Sequence, residues 1–187
     1  MALLKVLTYP DNRLRNKAKN VTKFDESLRE FCNSMLETMY TQEGIGLAAT
    51  QVGVAMRIVV MDLSDQRNDP HCYINPRIVS SEGTQLYQEG CLSLPGIYAE
   101  VERSAVIELQ WFDPQGKEQT SKLTGLHSIC IQHELDHLQG ILFIDHLNPE
   151  MQKKAKQLIS QKIATVDNKF SLQVSDQKII ATELKVE

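Results

Sequence analysis

Apolar residues recur with helical spacing in three segments of the chain, and this pattern predicts three helices. The first segment runs from about Asp25 to Tyr40. Its apolar positions are Leu28, Phe31, Cys32, Met35, Leu36 and Met39. The same period predicts further helices over residues 126–139 and 149–165. Gly140 follows the middle segment and suits the cap of a helix C-terminus.

Shorter apolar or alternating segments predict strands over residues 57–63, 73–79, 101–111 and 118–124. Asn75-Pro76 interrupts the second of them, which indicates an edge strand or a bulge. Residues 80–97 contain three glycines and Pro95 and predict a long irregular loop. The order of elements predicts an α+β fold. Antiparallel or mixed sheets would pack around the helix at 126–139, with an N-terminal helix and a C-terminal helix beside them.

Length and composition are those of one soluble domain. The chain has 187 residues, of which 42% are hydrophobic and 24% are charged. We expect a single domain over residues 1–187, with a core to about 165 and an extension over about 166–187. A weak strand pattern lies at 178–181 within that extension.

Charge and hydropathy exclude several classes of protein. The net charge of −4 argues against a nucleic-acid-binding protein dominated by basic surface, and we expect no sequence-specific nucleic-acid binding. No apolar run approaches the length that spans a bilayer, and the apolar stretch near Met1 is too short for a signal peptide. We therefore expect a cytoplasmic protein without a membrane partner.

The four cysteines do not form a CxxC pair, and a cytoplasmic chain should keep them reduced. Cys32 and Cys130 lie in helical apolar patterns, which favours buried thiols. The pattern around Cys72 is ambiguous. Cys91 follows Gly90 in the segment predicted to be irregular, where no helical apolar pattern favours a buried thiol.

The predicted helix at 126–139 contains the string His133-Glu134-Leu135-Asp136-His137, an HExxH motif. Residues four apart lie on one face of a helix, so both imidazoles can point at a single metal ion. Glu134 stands beside them, where it can accept a proton from water at the metal. By chance, roughly one chain in a hundred of this size would contain the motif, so a second signal is needed.

A catalytic metal site usually takes three protein ligands and leaves one position for water. In one branch of HExxH peptidases a third histidine stands where this chain has Phe143, and His146 comes three residues too late. Another branch uses a downstream glutamate, but Glu150 follows too soon. Cys91, after Gly90, would complete a Cys-His-His set that suits zinc or ferrous iron. Taken alone, Cys91 is equally well explained as a plain thiol.

The helix face that carries His133 also carries Leu126, Ile129 and Cys130, which are seven, four and three residues earlier. Each of them alone is best explained by core packing. Beside a metal-binding pair, the three together predict an apolar pocket that receives a hydrophobic side chain.

Three segments together resemble the peptide deformylases of bacterial type I. They are residues 44–51 (GIGLAATQ), 89–93 (EGCLS) and 132–138 (QHELDHL). The resemblance runs from Val6 to about Lys162. It implies an enzyme that hydrolyses the formyl group from the N-terminal methionine of newly synthesised proteins, so its partners would be formyl-Met nascent peptides.

The resemblance also implies roles for individual residues. Cys91, His133 and His137 would bind one divalent metal, commonly Fe²⁺, with Zn²⁺, Ni²⁺ or Co²⁺ able to substitute. Glu134 would be the general base. Gln51 would hold the developing oxyanion.

The backbone N–H of Leu92 would share that task. Gly46 and Gly90 would lie along the substrate backbone. Ile45 would join the apolar residues of the metal-binding helix in a pocket for the methionine side chain.

Three charged side chains and one helix leave alternatives open. Glu89 and Arg103 either pair and brace the Cys91 loop or are solvated surface charges, and Asp136 either orients the helix or is likewise solvated. The amphipathic helix at 149–165 is explained by packing on the core. The resemblance also allows it to dock on the ribosome.

Two other functions compete with a deformylase. One is a non-enzymatic relative that binds formylated or methionine-leading peptides, and the intact Glu134 argues against it. The other is a zinc endopeptidase.

Overall fold

The helices form where the apolar periodicity predicts them. The computed structural model describes residues 3–164, 170–175 and 178–183. Within these residues the α-helices are α1 (Glu26–Thr41), α2 (Gly125–Leu138) and α3 (Pro149–Ala164). The Asp25 side chain caps α1 by accepting a hydrogen bond of 3.1 Å from the backbone N–H of Leu28. Gly140 follows α2 with a φ of 74°, and a Cβ there would meet the carbonyl oxygen of Arg15.

Seven strands among the described residues form one mixed sheet. They are β1 (Gly46–Ala48), β2 (Ile58–Met61), β3 (His71–Gly90), β4 (Ile97–Phe112), β5 (Glu118–Thr124), β6 (Phe170–Ser175) and β7 (Lys178–Glu183). The order is β1-β2-β3-β4-β6-β7, with β5 also paired to β4. The pairs are antiparallel except β4 with β6, which run parallel.

The long hairpin of β3 and β4 corrects one sequence prediction. The irregular loop predicted over residues 80–97 is wrong, because β3 continues to Gly90 and only residues 91–96 connect it to β4. Most of β3 between Arg77 and Gln88 is exposed to solvent, so this stretch lacks the apolar alternation that marks a half-buried strand. Its backbone pairs with β4 instead, with a register shift between Ile74 and Arg77. The interruption at Asn75-Pro76 is therefore a bulge, and β2 and β4 flank it on both sides.

The two faces of β2 pack against different helices. Ile58 and Val60 belong to the apolar cluster that contains the buried face of α1. Val59 and Met61 belong to the cluster that contains Cys130, Ile131 and Leu138 of α2. Since β2 is covered on both faces, its apolar run is continuous rather than alternating. The strand thus holds α2 in the interior, where the HExxH residues become buried.

A third apolar cluster joins α3 to the far end of the hairpin. Met151, Ala155 and Ile159 form the buried stripe of α3. They share a cluster with Leu94, which lies in the connection between β3 and β4, and with Ile97, which begins β4. The amphipathic helix expected at the C-terminal end therefore covers the loop that carries Cys91.

The predicted α+β class, with helices before, within and after a mixed sheet around α2, is confirmed. The weak pattern at 178–181 lies within β7. The division into a core to about 165 and an extension over about 166–187 stays a prediction. No helix in the described part of the chain is both long and apolar enough to cross a membrane.

Candidate metal and active site

Helix α2 presents the two histidines and the glutamate of the HExxH motif to the interior. His133, Glu134 and His137 are all buried. The Nε2 atoms of His133 and His137 lie 3.2 Å apart, as expected for residues one helical turn apart on the same face. Thr50 fixes the end of this helix, because its hydroxyl donates to the carbonyl oxygen of His137 at 3.0 Å.

Cys91 comes to the same point from the connection between β3 and β4. The backbone N–H of Leu94 donates to the carbonyl oxygen of Cys91 at 2.9 Å, which closes a tight turn at the end of β3. The backbone N–H of Ser93 points at Cys91 Sγ at 3.4 Å. This turn holds the sulfur 3.2 Å from Nε2 of His137.

The three side chains form a group suited to a metal ion. One ligand atom from each of Cys91, His133 and His137 lies within 4.8 Å of the others. A sulfur and two imidazole nitrogens that converge this closely repel one another through their lone pairs unless a proton or a cation lies between them. A Cys-His-His set also has the donor chemistry that Zn²⁺ and Fe²⁺ prefer.

The protonation of the two imidazoles is mutually exclusive. Burial opposes the charged form of His133, but hydrogen bonds to Cys91 and Glu89 outweigh it and raise its pKa well above the ordinary value. For His137, burial and the neighbouring charge of His133 hold the pKa well below the ordinary value. A metal ion bound at this point would replace the proton of His133, because an imidazole binds a metal only in its neutral form.

Behind the ligands lies a buried ionic network. Arg103 donates to both oxygens of Glu89, at 2.7 and 3.0 Å, and to Asp136 at 2.6 Å. Glu89 also bonds Nδ1 of His133 at 2.8 Å, and Asp136 bonds His146 at 2.7 Å. Burial alone would raise the pKa of Glu89, but hydrogen bonds from His133 and Arg103 outweigh it and set that pKa at about 2. Bonded through Nδ1, His133 presents its Nε2 to a metal.

Glu134 has a different environment from Glu89. Burial raises its pKa to about 7, although the nearby charge of His133 lowers it. Its Oε2 is buried and has no hydrogen-bond partner among the described residues. A carboxylate with a pKa near neutrality can both accept and donate a proton under physiological conditions.

Gln51 approaches the cluster from the short 3₁₀ helix Ala49–Val52 that follows β1. Its Oε1 accepts a hydrogen bond of 2.7 Å from the backbone N–H of Ala48, which fixes the orientation of the amide. Its Nε2 therefore faces the site, where it lies 3.2 Å from Ser93 Oγ and 3.6 Å from Cys91 Sγ. An uncharged N–H donor is thus held beside the metal-binding group.

A cavity of about 530 Å³ opens onto these side chains. The predicted site residues that line it are Ile45, Gly46, Gln51, Gly90, Cys91, Leu92, Leu126, Ile129, Cys130, His133 and Glu134. His137 completes the group through its contacts with Cys91 and His133. The structure therefore brings all the predicted site residues together, including those predicted from distant segments.

Sequence reasoning missed three residues at this site. Ser93 accepts the hydrogen bond of Gln51, and Tyr87 and Tyr98 lie at the rim of the cavity. The ring of Tyr98 lies against Gly90, where a Cβ would come within 2.6 Å of it. The strand pairing of Gly90 with Tyr98 creates this contact, and no pattern in the sequence reports it.

The comparison with known proteins agrees with this geometry. The polypeptide deformylase family profile matches residues 3–153. Peptide deformylase 1 of Shewanella oneidensis is 47% identical over 169 residues, which cover 90% of this chain and 100% of that protein. The peptide deformylase of Pseudoalteromonas translucida is 47% identical over 162 residues, which cover 87% of this chain and 97% of that protein.

Solved structures give the same result. A peptide deformylase from Legionella pneumophila has a TM-score of 0.85 and 40% identity, covering 90% of this chain and 99% of its own. One from Synechococcus elongatus, in complex with actinonin, has a TM-score of 0.79 and 40% identity, covering 85% of this chain and 87% of its own. This chain belongs to the peptide deformylases, metal-dependent hydrolases that remove the formyl group from the N-terminal methionine of proteins.

Proposed function

We propose that Cys91, His133 and His137 hold one divalent ion, and that Glu134 is the general base for hydrolysis of the formyl group. The observation that carries the proposal is the convergence of the three ligand atoms within 4.8 Å of one another, beside the buried carboxylate. Fe²⁺ fits the mixed sulfur and nitrogen donors, and Zn²⁺, Ni²⁺ or Co²⁺ can substitute. An ion held there would polarise water and the formyl oxygen.

The chemistry that this chain supplies begins with Glu134. In its deprotonated form the carboxylate accepts a proton from the attacking water. It then delivers that proton to the amine that leaves. The pKa of about 7, which burial produces, suits both transfers because neither protonation state is strongly disfavoured.

Two N–H groups are proposed to stabilise the oxyanion that develops on the formyl group. The first is Nε2 of Gln51, whose orientation is fixed by the bond from Ala48. The second is the backbone N–H of Leu92, which lies between Cys91 and Ser93 in the tight turn. Removal of one such donor typically costs about 10²–10³ in rate.

The apolar part of the cavity is proposed to bind the methionine side chain. Ile45, Leu126, Ile129 and Cys130 line it, and a flexible thioether fills such a surface well. Burial of the methionine contributes about 1.5–3 kcal/mol relative to leaving it exposed. Gly46 and Gly90 flank the cavity, where the absence of a side chain lets a peptide backbone approach.

Helix α3 is proposed as the surface that meets the ribosome. One side of α3 is buried, while Lys153 and Lys156 line a shallow groove on its other side. Cationic side chains on an exposed helix face suit the phosphate backbone of RNA without reading its sequence. We also propose that the chain is a single catalytic domain whose core ends at about residue 165. It would act in the cytoplasm on formyl-Met nascent peptides.

An assay with a formyl-Met peptide tests the enzyme reaction. The chain is purified without oxygen, its metal content is measured, and release of formate is followed. Glu134→Gln should keep the metal and lose turnover, because the isosteric amide cannot accept the proton. Glu102→Gln, the same change at an exposed position on β4, should retain turnover.

Three results would contradict parts of this proposal. Normal formate release by a metal-replete Glu134→Gln protein would show that Glu134 is not the general base. Cleavage of an internal peptide bond would indicate an endopeptidase, and binding without any cleavage would indicate a peptide-binding relative.

A further inference from the structure

Two cysteines outside the active site face each other across the interface between a helix and the sheet. Cys32 lies on the buried face of α1, and Cys72 lies near the start of β3. Their Sγ atoms are 2.9 Å apart, with the thiol of Cys72 donating to the sulfur of Cys32. Both thiols are free.

The surrounding packing fixes this pair. Cys32 belongs to the same apolar cluster as Val60 and Ile74, and Cys72 packs against that cluster. Cys72 is the strand partner of Val60, so the position of its side chain relative to α1 is set by the sheet. Neither cysteine lines the active-site cavity.

We propose that Cys32 and Cys72 form a reversible intramolecular disulfide when the protein meets a peroxide, and that this bond fastens α1 to the sheet. The inference goes beyond the proposed function and does not depend on it. It leaves in place the expectation that a cytoplasmic chain keeps these thiols reduced, because the bond forms only when an oxidant is present.

Little movement is needed to form the bond. A disulfide has an S–S length of about 2.05 Å, so the sulfurs must approach by about 0.9 Å from their separation of 2.9 Å. Cys72 is partly exposed and gives a small oxidant access, whereas Cys32 is only 2% exposed. The two sulfurs belong to separate elements, so a small shift of α1 can supply the approach.

The reaction balances with hydrogen peroxide as the oxidant. A thiolate of the pair attacks one peroxide oxygen, the O–O bond breaks, and the hydroxide released takes up a proton to leave as water. The resulting sulfenic acid is attacked by the other sulfur, the S–S bond forms, and a second water leaves. Two thiols lose two electrons and two protons, and one peroxide becomes two waters.

The contact between the thiols determines which sulfur is the thiolate in the first step. The hydrogen bond from Cys72 lowers the pKa of the Cys32 thiol, although burial opposes this, and the same bond raises the pKa of Cys72. Cys32 is thus the preferred thiolate and Cys72 remains protonated, so peroxide must pass the partly exposed Cys72 to reach the buried sulfur that reacts first. Because no charged side chain adds to this effect in the described contacts of either thiol, we expect the oxidation to be slow.

The bond would close a loop between residues that are 40 apart in sequence. That loop contains β1 and the 3₁₀ helix with Gln51. Cross-linking a loop of this length restricts the unfolded chain, and we expect the Tm to rise by about 5–15 °C. Reduction should return the Tm to its starting value.

The test uses the zinc-loaded protein, because a metal without redox chemistry shields the Cys91 thiolate, and treats it with hydrogen peroxide and then catalase. Intact mass spectrometry should show a loss of 2 Da, and a digest without reductant should contain the peptides of Cys32 and Cys72 joined. Dithiothreitol should reverse both the mass change and the rise in Tm. Cys72→Ser and Cys72→Ala, which change the more exposed partner, should show neither effect under the same treatment.

Two results would overturn the proposal. One is recovery of Cys32 and Cys72 in separate peptides, as free or oxygenated thiols, after the peroxide treatment. The other is a cross-link between them that leaves the Tm unchanged or lowers it. Cys32→Ser should also prevent both effects. Because position 32 lies in the core, the Cys72 variants remain as the control if Cys32→Ser fails to fold.

Discussion

Gly46 is the residue whose replacement most directly tests the position of the proposed base. An ideal Cβ on residue 46 would lie 2.7 Å from Glu134 Oε1 and 2.8 Å from Cys130 Sγ. Ordinary contact begins at 3.4 Å, so the carboxylate must move by about 0.7 Å in a Gly46→Ala variant. The three heavy atoms nearest to the new methyl group belong to Glu134 and Cys130, and none belongs to a metal ligand. The substitution therefore displaces the base and leaves the metal site intact.

The size of that displacement sets the expected loss. A misplacement of about 1 Å in an active site can cost about 10²-fold in rate. A shift of about 0.7 Å predicts a fall in kcat of about 10–100-fold, or about 1.4–2.7 kcal/mol in activation free energy. Since Cys130 also lines the methionine pocket, a smaller rise in KM should accompany it.

Formate release from a formyl-Met peptide, normalised to measured metal content, gives the two kinetic constants. Gly44→Ala is the matched control, because it makes the same change two residues earlier. Its Cβ would meet Cδ1 of Leu92 at 2.8 Å, an apolar chain end that can rotate away. We expect that control to lose less than about tenfold in kcat. If Gly46→Ala keeps kcat within about threefold of the parent protein, or if the two variants lose equally, the contact with Glu134 does not control the rate.

Four further outcomes are expected. Cys91→Ser should lower both retained metal and turnover, because a hydroxyl is a poorer ligand for a borderline-soft ion; one tightly held metal per chain with full activity would exclude Cys91 as a ligand. Ile129→Trp should fill the pocket and impair turnover while metal content stays unchanged. The parent protein should favour formyl-Met over formyl-Asp peptides in kcat/KM, and equal kcat/KM values for the two peptides would place the pocket elsewhere. Arg103→Met should lower the free energy of unfolding by about 3–5 kcal/mol in a denaturant titration, because the buried charge of Glu89 loses its arginine partner and keeps, among the described residues, only the bond to His133; a loss under about 1 kcal/mol would show that the network contributes little. The iron-loaded enzyme should lose activity in air faster than the nickel-loaded enzyme, and equal lifetimes would argue against a ferrous ion.

The helices and the metal-binding side chains were accessible to sequence reasoning for physical reasons. Helix α2 has a fixed period, so the spacing of His133 and His137 alone determines that they share a face. The strand Glu118–Thr124 was equally visible, because the turn signal at residues 113–116 precedes it. Cys91 was a candidate third ligand with a plain thiol as the alternative, and the resemblance then favoured the ligand and added Gln51. The separate positions of these two residues in sequence carry no such geometric information.

What the sequence could not supply depends on pairing between distant segments. The exposed part of β3 has no buried face, so only its hydrogen bonds to β4 define it as a strand. The bond of Arg103 to Glu89 and the contact of Tyr98 with Gly90 follow from the register of that hairpin. A register is a property of two strands together, and a shift of one residue would turn each side chain to the other face.

The placement of Cys91 in the turn between two long strands has a consequence for the order of assembly. The turn and α2 are far apart in the chain, with Cys91 and His137 separated by 46 positions, so the unfolded chain offers no preformed site. An ion that binds only after the hairpin has docked on α2 stabilises the native state by mass action, by about 2.7 kcal/mol at one hundred times its dissociation constant. A chain that has bound its ion would therefore already be folded around it, and the supply of metal would limit how much of the protein reaches its stable folded form.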